Sequence, residues 1–297
     1  MSFLSSLFSK KSKPAKAEPQ QENEDTLDPK IKAAFALMKT TEAGKDAVKL
    51  LKKQNLVPVP DAPFPSFYNA LSNKVYIDSS LNPADIAVNL VGTARQLHHK
   101  QVLTKLDMAE MKAADGVQCY RLMQADAEAH KALMYYALKS NEALPYSPEM
   151  PGGISVHSVI IQKAMGASDE KALDAAVKAF YNDHQAVQTC DLLYARDQHL
   201  TAYNIDRNPS LAPGAKLFSK DMPDKIFEKI CSVGGVPYVK QEDFNKTPFK
   251  IMFQNRRNDI ARMVAPFSKD TSIMKMPTFE KVEAANAAAR ALATKNR

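Results

Sequence analysis

Hydrophobic residues at helical spacing dominate the chain. Ile31, Phe35 and Met38 recur at intervals of four and three residues, which predicts a first helix near the start of the patterned region. A second helix is predicted from Glu42 to Gln54, because Thr41 can accept a hydrogen bond from the free N–H groups at its start. The chain therefore opens its folded part with two short amphipathic helices.

Two short segments have the composition of β-strands. Residues 56–60 are β-prone but contain two prolines, so this segment can only be an edge strand. Residues 74–78 alternate between polar and apolar side chains and should pair with that edge. Residues 63–73, between them, are predicted to form a loop. We expect a small antiparallel sheet built from these strands.

A longer helix follows, over residues 83–101. Asn82 is a suitable N-cap, Pro83 suits the first helical position, and Asp85 lies in the first turn. One side of this helix is apolar and must face a core, and its residues are Ile86, Ala87, Leu90, Val91, Ala94 and Leu97. The more polar residues Asp85, Asn89, Gly92, Thr93 and Gln96 lie together on another side.

The rest of the chain is predicted to be mainly helical. The further helices are expected at residues 108–140, 156–165, 169–203, 226–231, 256–263 and 279–294. The buried side of the helix predicted from residue 169 is marked by Ala175, Ala179, Phe180, Val187, Leu192 and Leu193. A turn and a short extended piece are predicted at residues 234–239, where two glycines precede β-prone residues. The predicted fold class is α+β, mainly helical.

Composition divides the chain into three parts. Residues 1–28 contain few large apolar side chains after the first eight positions and are expected to form a disordered leader. Residues 29–265 are predicted to form the main domain. Residues 266–297 are expected to be a basic, Ala-rich tail, helical or mobile. The first residues, Met1 to Phe8, are followed by lysines, so weak contact of the N-terminal tail with a membrane surface is an option.

Charge and cysteine usage favour a cytoplasmic protein. The net charge is +7, but acidic and basic residues are interspersed and form no basic stripe, so we expect no nucleic-acid partner. Cys119, Cys190 and Cys231 are far apart and odd in number, which predicts buried free thiols in a reducing compartment. No apolar run approaches the ~20 residues that a bilayer-spanning helix requires.

Gly92 is unexpected inside the third helix, because glycine costs ~1 kcal/mol relative to alanine in a helix interior. In a zincin peptidase, a helix of this kind carries His-Glu-x-x-His, which supplies two metal ligands and a general base. Here the corresponding segment is Gly92-Thr93-Ala94-Arg95-Gln96. The helix thus has the setting of a zinc-binding helix without its ligands.

Several blocks of the sequence, taken in order, resemble a bacterial domain-of-unknown-function family with a zincin-like core, whose members are expected to be zinc metallopeptidases. The resemblance covers most of residues 30–245. The blocks are Thr41–Leu51, Leu56–Val59, Lys74–Ser80, Leu90–Gln96, Arg121–Ala127, Ala179–Tyr194 and Gly234–Tyr238. Leu90–Gln96 aligns with the family's Leu-x-His-Glu-x-Arg-His, and Arg121–Ala127 aligns with Arg-x-x-Glu-Ala-Asp-Ala. The resemblance implies a zincin-like core with the small sheet beside the helix of residues 83–101.

Compared position by position, the resemblance implies that the metal site has been lost. Gly92 and Gln96 stand at the two His positions, Thr93 stands at the Glu base, and Gln124 stands at the third ligand, a Glu in the family. Thr93 has no basic group near neutral pH, and a neutral amide is a poor zinc ligand. The family's framework residues are retained as Arg95, Arg121 and Asp126.

The resulting interpretation is a metallopeptidase-like pseudoenzyme. It has no catalytic residues, binds no zinc although the family is expected to, and has a binding or regulatory role toward an unknown protein partner. This interpretation requires Gly92, Gln96 and Gln124 to lie around one cleft, and it would fail if Gln124 were far from Gln96.

Two alternatives remain open. The first is an active zinc-dependent hydrolase with displaced ligands, in which His98 or His99 acts together with His130. Adjacent residues on a helix point ~100° apart, so His98 and His99 can hardly bind the same ion. The second alternative is a helical scaffold or interaction protein that is unrelated to peptidases.

Overall fold

The computed structural model describes residues 27–69, 72–141 and 148–295. The predicted leader, 1–28, lies outside the described residues except for its last two positions. Within the described residues the protein is mainly helical with few short strands, so the α+β class with mostly helix is confirmed.

The chain forms two compact units, each assembled from separated segments. The first unit contains the residues up to Thr104, Leu122–Asp183 and Phe227–Val239. The second contains Lys105–Arg121, His184–Ile226 and Lys240–Arg297. The candidate functional site is built from residues of all three parts of the first unit.

The first unit begins with helices α1 (Pro29–Met38) and α2 (Glu42–Leu51), as the pattern predicts. The Asp28 side chain caps α1, and the Oγ1 of Thr41 accepts a hydrogen bond from the N–H of Gly44 at the start of α2. Helix α2 ends at Leu51, three residues before the predicted end, because residues 52–54 form a turn.

The sheet contains three strands, β1 (Asn55–Val59), β2 (Ser66–Asn69) and β3 (Lys74–Asp78), in the order β1-β3-β2. The proline-containing β1 lies at an edge, as predicted. Its pairing with β3 is parallel and only the β2–β3 pairing is antiparallel, so the prediction of a purely antiparallel sheet is wrong.

The prediction of a loop at residues 63–73 is also wrong, because Ser66–Asn69 forms β2. Phe67 stacks on Tyr76 of β3 at a ring-centroid distance of 5.0 Å. Such aromatic cross-strand pairs stabilise sheets, and here the pair joins a segment of only four residues to its neighbour. Because β2 occupies one side of β3, the strand β1 can pair only with the other side.

Helix α3 (Pro83–Val102) follows the sheet and is capped by Asn82, whose Oδ1 accepts from the N–H groups of Ala84 and Asp85. All six residues of the predicted apolar stripe are buried. Gly92 and Thr93, on the other side, are buried as well. Helix α3 is therefore enclosed on most of its surface, and its polar residues meet protein rather than water.

The helix predicted over residues 108–140 is divided into α4 (Lys105–Glu110) and α5 (Ala113–Lys139). The break is stabilised within the second unit, where the N–H of Lys112 donates to the carbonyl of Lys220 at 2.7 Å. The carboxylate of Asp270 accepts from the N–H of Ala113 and so caps the start of α5. Both partners are more than 100 residues away, so the break has no local signal.

In the first unit, α6 (Ile154–Ala164) packs against α7 (Asp169–Phe180). The helix predicted over residues 169–203 is two helices, because residues 181–183 form a turn before α8 (His184–Arg207) of the second unit. Asn182 and Asp183 are residues that favour turns. The predicted buried face of α8 is partly wrong, since Leu192 is 48% exposed while Cys190 and Tyr194 are buried.

A short helix, α9 (Ile226–Ile230), leads into a hairpin of β4 (Ser232–Val233) and β5 (Val236–Pro237), close to the positions predicted. The hairpin turn consists of Gly234 and Gly235, whose φ angles are +57° and +81°. Two successive positive φ angles define a type I′-like turn, which favours glycine. This hairpin brings Tyr238 into the first unit.

The second unit is completed by α10 (Thr247–Lys250), α11 (Gln254–Val264) and α12 (Phe279–Lys295). Phe279 stacks on Phe253, and the ring of His184 packs edge-on against both. Among the helices within residues 27–69, 72–141 and 148–295, none is long and apolar enough to cross a membrane. The three cysteines are free and buried, as predicted.

Candidate functional site

The carboxylate of Asp126 is the centre of a buried polar cluster in the first unit. It has no exposed surface, and it accepts hydrogen bonds from Arg95 Nε at 2.7 Å and from His99 Nε2 at 2.7 Å. Arg95 Nη2 donates to its second oxygen at 3.3 Å, and the hydroxyl of Tyr238 donates to the same oxygen. Asp126 on α5 is thereby joined to two residues of α3 and to the residue that follows β5.

Arg95 extends this cluster to the segment that joins α9 to the β4–β5 hairpin. Its Nη2 donates to the carbonyl of Ile230 at 2.7 Å, and its Nη1 donates to the carbonyl of Ser232 at 3.0 Å. The guanidinium is planar and presents several donors in fixed directions, which suits one carboxylate and two carbonyls at once. Arg95 therefore ties the C-terminal end of α9 to the contact between α3 and α5.

The cluster keeps Asp126 ionised. Burial by itself would raise the pKa of this carboxyl group, but the charge of Arg95 and the nearby rings of His130 and His99 outweigh burial and hold the pKa well below its ordinary value. Burial beside this carboxylate also raises the pKa values of Tyr238 and Cys231 well above their usual ranges. Tyr238 is thus a hydrogen-bond donor, and Cys231 is an unreactive thiol.

The three histidines considered as displaced metal ligands are bound to protein groups. His99 donates to Asp126, His98 Nε2 donates to the carbonyl of Lys229 at 2.9 Å, and His130 Nδ1 donates to the backbone carbonyl of Asp126 at 2.9 Å. Burial, followed by the charge of Arg95, lowers the pKa of His98 to about 4 and the pKa of His130 to about 3. His130 Nε2 is buried and has no hydrogen-bond partner.

Gly92, where the resemblance leads us to expect the first metal ligand, is covered by the side chain of Lys131. A Cβ atom built at Gly92 would overlap with Cε of Lys131 and lie 3.0 Å from its Cγ. The ammonium group of Lys131 pairs with Glu128 on the same helix at 2.9 Å. A lysine stem therefore occupies the space above the backbone where the resemblance places an imidazole.

Thr93, where the resemblance leads us to expect the general base, is hydrogen-bonded to the sheet. Its hydroxyl is 2.7 Å from the hydroxyl of Ser66, the first residue of β2. Thr93 is 3% exposed, so this hydrogen bond lies in a dry contact between α3 and β2. The hydroxyl group of Thr93 thus has a structural partner, and that partner is another hydroxyl rather than a base.

Helical periodicity places Gln96 near the side of α3 that carries Gly92, and Gln124 near the side of α5 that carries Lys131. Gln96 is one helical turn beyond Gly92 and points ~40° away from it around the axis of α3. Gln124 is two turns before Lys131 and points ~20° away from it around the axis of α5. Both are half-buried, and Oε1 of Gln96 is buried without a partner. Within the part of the chain that the structure describes, no hydrogen bond joins the two amides.

Arg121, the third framework residue, belongs to the second unit and has a different partner. Its Nε and Nη2 each donate to a carboxylate oxygen of Asp191 at 2.6 Å, and its Nη1 donates to the carbonyl of Ile251 at 3.0 Å. Both side chains are almost completely buried. The motif Arg121–Ala127 therefore supplies one buried ion pair to each unit.

The polar groups of this site make hydrogen bonds and ion pairs with one another. Across the described ranges, which omit residues 1–26, 70–71 and 142–147, no group of three or more His, Cys, Asp or Glu side chains is placed to hold a metal ion. Two members of the site, Tyr238 and Lys131, are not predicted as such by the sequence. The position of Tyr238 after a Gly-Gly turn is its only local signal. Lys131 carries no signal at all.

No protein-family model matches this chain, and neither the curated proteins nor the solved structures include a match. A function for this chain must therefore be argued from the geometry of the first unit.

The histidines of the cluster make stability depend on pH. His130 has an ordinary pKa of 6.5 when unfolded and about 3 when folded, so between these values the unfolded chain binds a proton that the folded chain does not. Acidification from pH 7 to pH 4.5 should therefore lower the free energy of unfolding, measured by urea denaturation. His130→Gln should make this slope shallower by up to ~1.4 kcal/mol per pH unit.

His157→Gln, the same change at an exposed position outside the cluster, is the matched control for the substitution itself. An identical pH slope in the wild type and in His130→Gln would contradict a neutral, buried His130.

The contact between Gly92 and Lys131 can be measured by a double-mutant cycle. Gly92→Ala should gain helix propensity, up to ~1 kcal/mol, but must displace the lysine stem. In a Lys131→Ala background the added methyl group has room, so the full gain should appear. We expect a coupling free energy of at least about 0.5 kcal/mol in urea denaturation. The control is Lys53→Ala, at an exposed position of the same unit, whose change in the free energy of unfolding should add to that of Gly92→Ala. Additive free energies for Gly92→Ala and Lys131→Ala would contradict the contact.

Proposed function

We propose that this protein is a catalytically inactive, metallopeptidase-like protein that binds a protein partner. The observation that carries the proposal is the position of Lys131, whose stem covers Gly92 and whose ammonium group pairs with Glu128. A cationic side chain lies next to the place where the resemblance requires the first ligand of a dication. The lysine stem also fills the space that a ligand side chain at position 92 would need.

The residues around Gly92 support the same proposal. A peptidase needs a group that takes a proton from the metal-bound water. Thr93 has only a hydroxyl, which is hydrogen-bonded to Ser66. Gln96 and Gln124 offer neutral amides, which are suited to hydrogen bonds with a peptide backbone and poorly suited to zinc. Oε1 of Gln96 is buried and has no hydrogen-bond partner in the folded chain.

The framework explains how a fold of this kind could persist without a metal. Arg95, Asp126 and Tyr238 connect α3, α5 and the hairpin through hydrogen bonds among protein groups alone. Loss of the ligands would leave these contacts intact. We place the function in the cytoplasm, which the three buried free thiols support.

The alternative of a zinc hydrolase with displaced ligands is supported by one observation, the unpartnered Nε2 of His130. Of its two proposed companions, His98 donates to the carbonyl of Lys229 through Nε2, and His99 donates to Asp126 through Nε2. The guanidinium of Arg95 lies in the same cluster. The positive charge of Arg95 disfavours the binding of a zinc ion beside it. This alternative therefore ranks below the pseudoenzyme, and an unrelated helical scaffold remains the third proposal.

Elemental analysis of two purified proteins tests the proposal. The native protein should contain no stoichiometric zinc. A variant carrying Gly92→His, Thr93→Glu, Gln96→His, Gln124→Glu and Lys131→Ala should bind about one zinc ion per chain, because the ligands return and the lysine stem no longer fills their space. The matched control has the same changes but keeps Gln96, and it should bind zinc far more weakly.

The possible outcomes separate the three proposals. One zinc ion per native chain, lost on His130→Ala, would support displaced ligands and contradict the pseudoenzyme. A restored variant that is folded by circular dichroism but binds no zinc would favour the unrelated scaffold.

A further inference from the structure

Helix α6 has apolar side chains on two opposite sides. Val156 and Val159 are buried, whereas Ile154, Ile161 and Met165 are 40%, 57% and 76% exposed. Ile161 and Met165, the C-cap residue of α6, lie ~20° to either side of Ile154 around the helix axis, so the three residues share a ~40° sector. We call these three residues the α6 outer face. It is ~16 Å long, and the polar Ser158 lies between Ile154 and Ile161.

The inner side of α6 is already occupied. Helix α7 packs there, and Ser155 Oγ donates to the carbonyl of Ala176 at 3.1 Å. Single exposed hydrophobic residues need no explanation, but aligned ones indicate a surface that binds something. Each of the three side chains would gain ~1–2 kcal/mol if it were removed from water. The outer face therefore favours an apolar, elongated occupant.

The first eight residues of this chain have the matching pattern. Phe3, Leu4, Leu7 and Phe8 are spaced so that they would share one face of two helical turns. We propose that residues 3–8 of the chain dock on the α6 outer face of the same molecule. This proposal is independent of the proposed function, since no residue of the Asp126 cluster takes part.

The length of the connecting segment permits this contact. Residues 9–27 separate Phe8 from Asp28, the cap of α1, and they can span up to about 65 Å when extended. A compact unit of this size has a radius of gyration of about 16 Å, so every part of its surface is within reach. A tether of this length gives an effective concentration in the millimolar range, about enough for a weak apolar contact to form.

Charge also favours this occupant. Exposed Glu149 and Glu170 flank the two ends of α6 in the sequence. The basic residue on the helix, Lys163, is paired with Asp169 at 2.8 Å, which neutralises it. The apolar residues of the N-terminal segment are followed directly by Lys10, Lys11 and Lys13. The basic segment and the two acidic residues that flank α6 in the sequence are therefore opposite in charge.

Labelling of a single introduced cysteine tests the proposal. The three native cysteines are buried, so Met165→Cys in the full-length chain provides one accessible thiol. The comparison protein carries the same cysteine together with Phe3→Ser, Leu4→Ser, Leu7→Ser and Phe8→Ser. A maleimide should modify Met165→Cys about tenfold more slowly without the four serines, because residues 3–8 then cover the α6 outer face most of the time. The control is Lys53→Cys, an exposed position in the same unit, whose rate should not respond to the four serines.

A reciprocal measurement, with the cysteine in the N-terminal segment, shows whether the result depends on changing Met165. In a Leu7→Cys protein, Ile161→Asp should raise the labelling rate of the thiol at position 7 by a similar factor, because the docking face is then charged. Equal rates in either experiment would overturn the proposal. Protection that increases with protein concentration would assign the face to a second copy, and protection seen only with phosphatidylserine vesicles would assign it to a lipid surface. Either of these results would also overturn it.

Discussion

The buried carboxylate of Asp126 is the constraint on which the first unit depends. An ionised carboxylate in a dry interior is costly unless it is hydrogen-bonded on all sides. Here Arg95, His99 and Tyr238 supply the donors, and they come from two segments that are far from Asp126 in sequence. Satisfying one charge therefore fixes how α3, α5 and the β4–β5 hairpin meet. Arg95 adds to this by donating to the carbonyls of Ile230 and Ser232.

The Asp126 cluster holds the elements of the first unit together without using the positions that the resemblance assigns to metal ligands. The positions that the resemblance assigns to ligands lie beside the Asp126 cluster and take no part in it. Lys131 lies over Gly92, and Thr93 is bonded to Ser66, so these positions contribute ordinary packing and hydrogen bonding. The physical picture is of a stable polar centre with an adjacent contact between two helices that is built from protein groups alone. That picture is the reason for proposing a binding protein rather than a hydrolase.

The sequence predicted the features that depend on interactions between residues close together along the chain. The caps at Thr41 and Asn82 and the proline-bearing edge strand follow from hydrogen bonding and backbone geometry within a few residues. Strand β2 was missed because it has only four residues, and the parallel β1–β3 pairing follows from its presence. The break before α5 and the bond between Tyr238 and Asp126 join residues more than 100 positions apart, so no local pattern could reveal them. Arg95 and Asp126 lie on different helices, 31 positions apart, so the sequence indicated that both are framework residues without indicating that they form one ion pair.

The most direct test of this account is the free energy of unfolding of Asp126→Asn, measured by urea denaturation together with hydrogen exchange of α3 and the β4–β5 hairpin. The substitution preserves shape but leaves the guanidinium of Arg95 buried without its counter-charge. We expect a loss of about 3–5 kcal/mol and a joint loss of protection in both elements. Glu128→Gln, which breaks the half-exposed pair with Lys131, should cost less than about 1 kcal/mol. A loss at Asp126→Asn no larger than that of Glu128→Gln, or exposure of the hairpin without α3, would contradict the account.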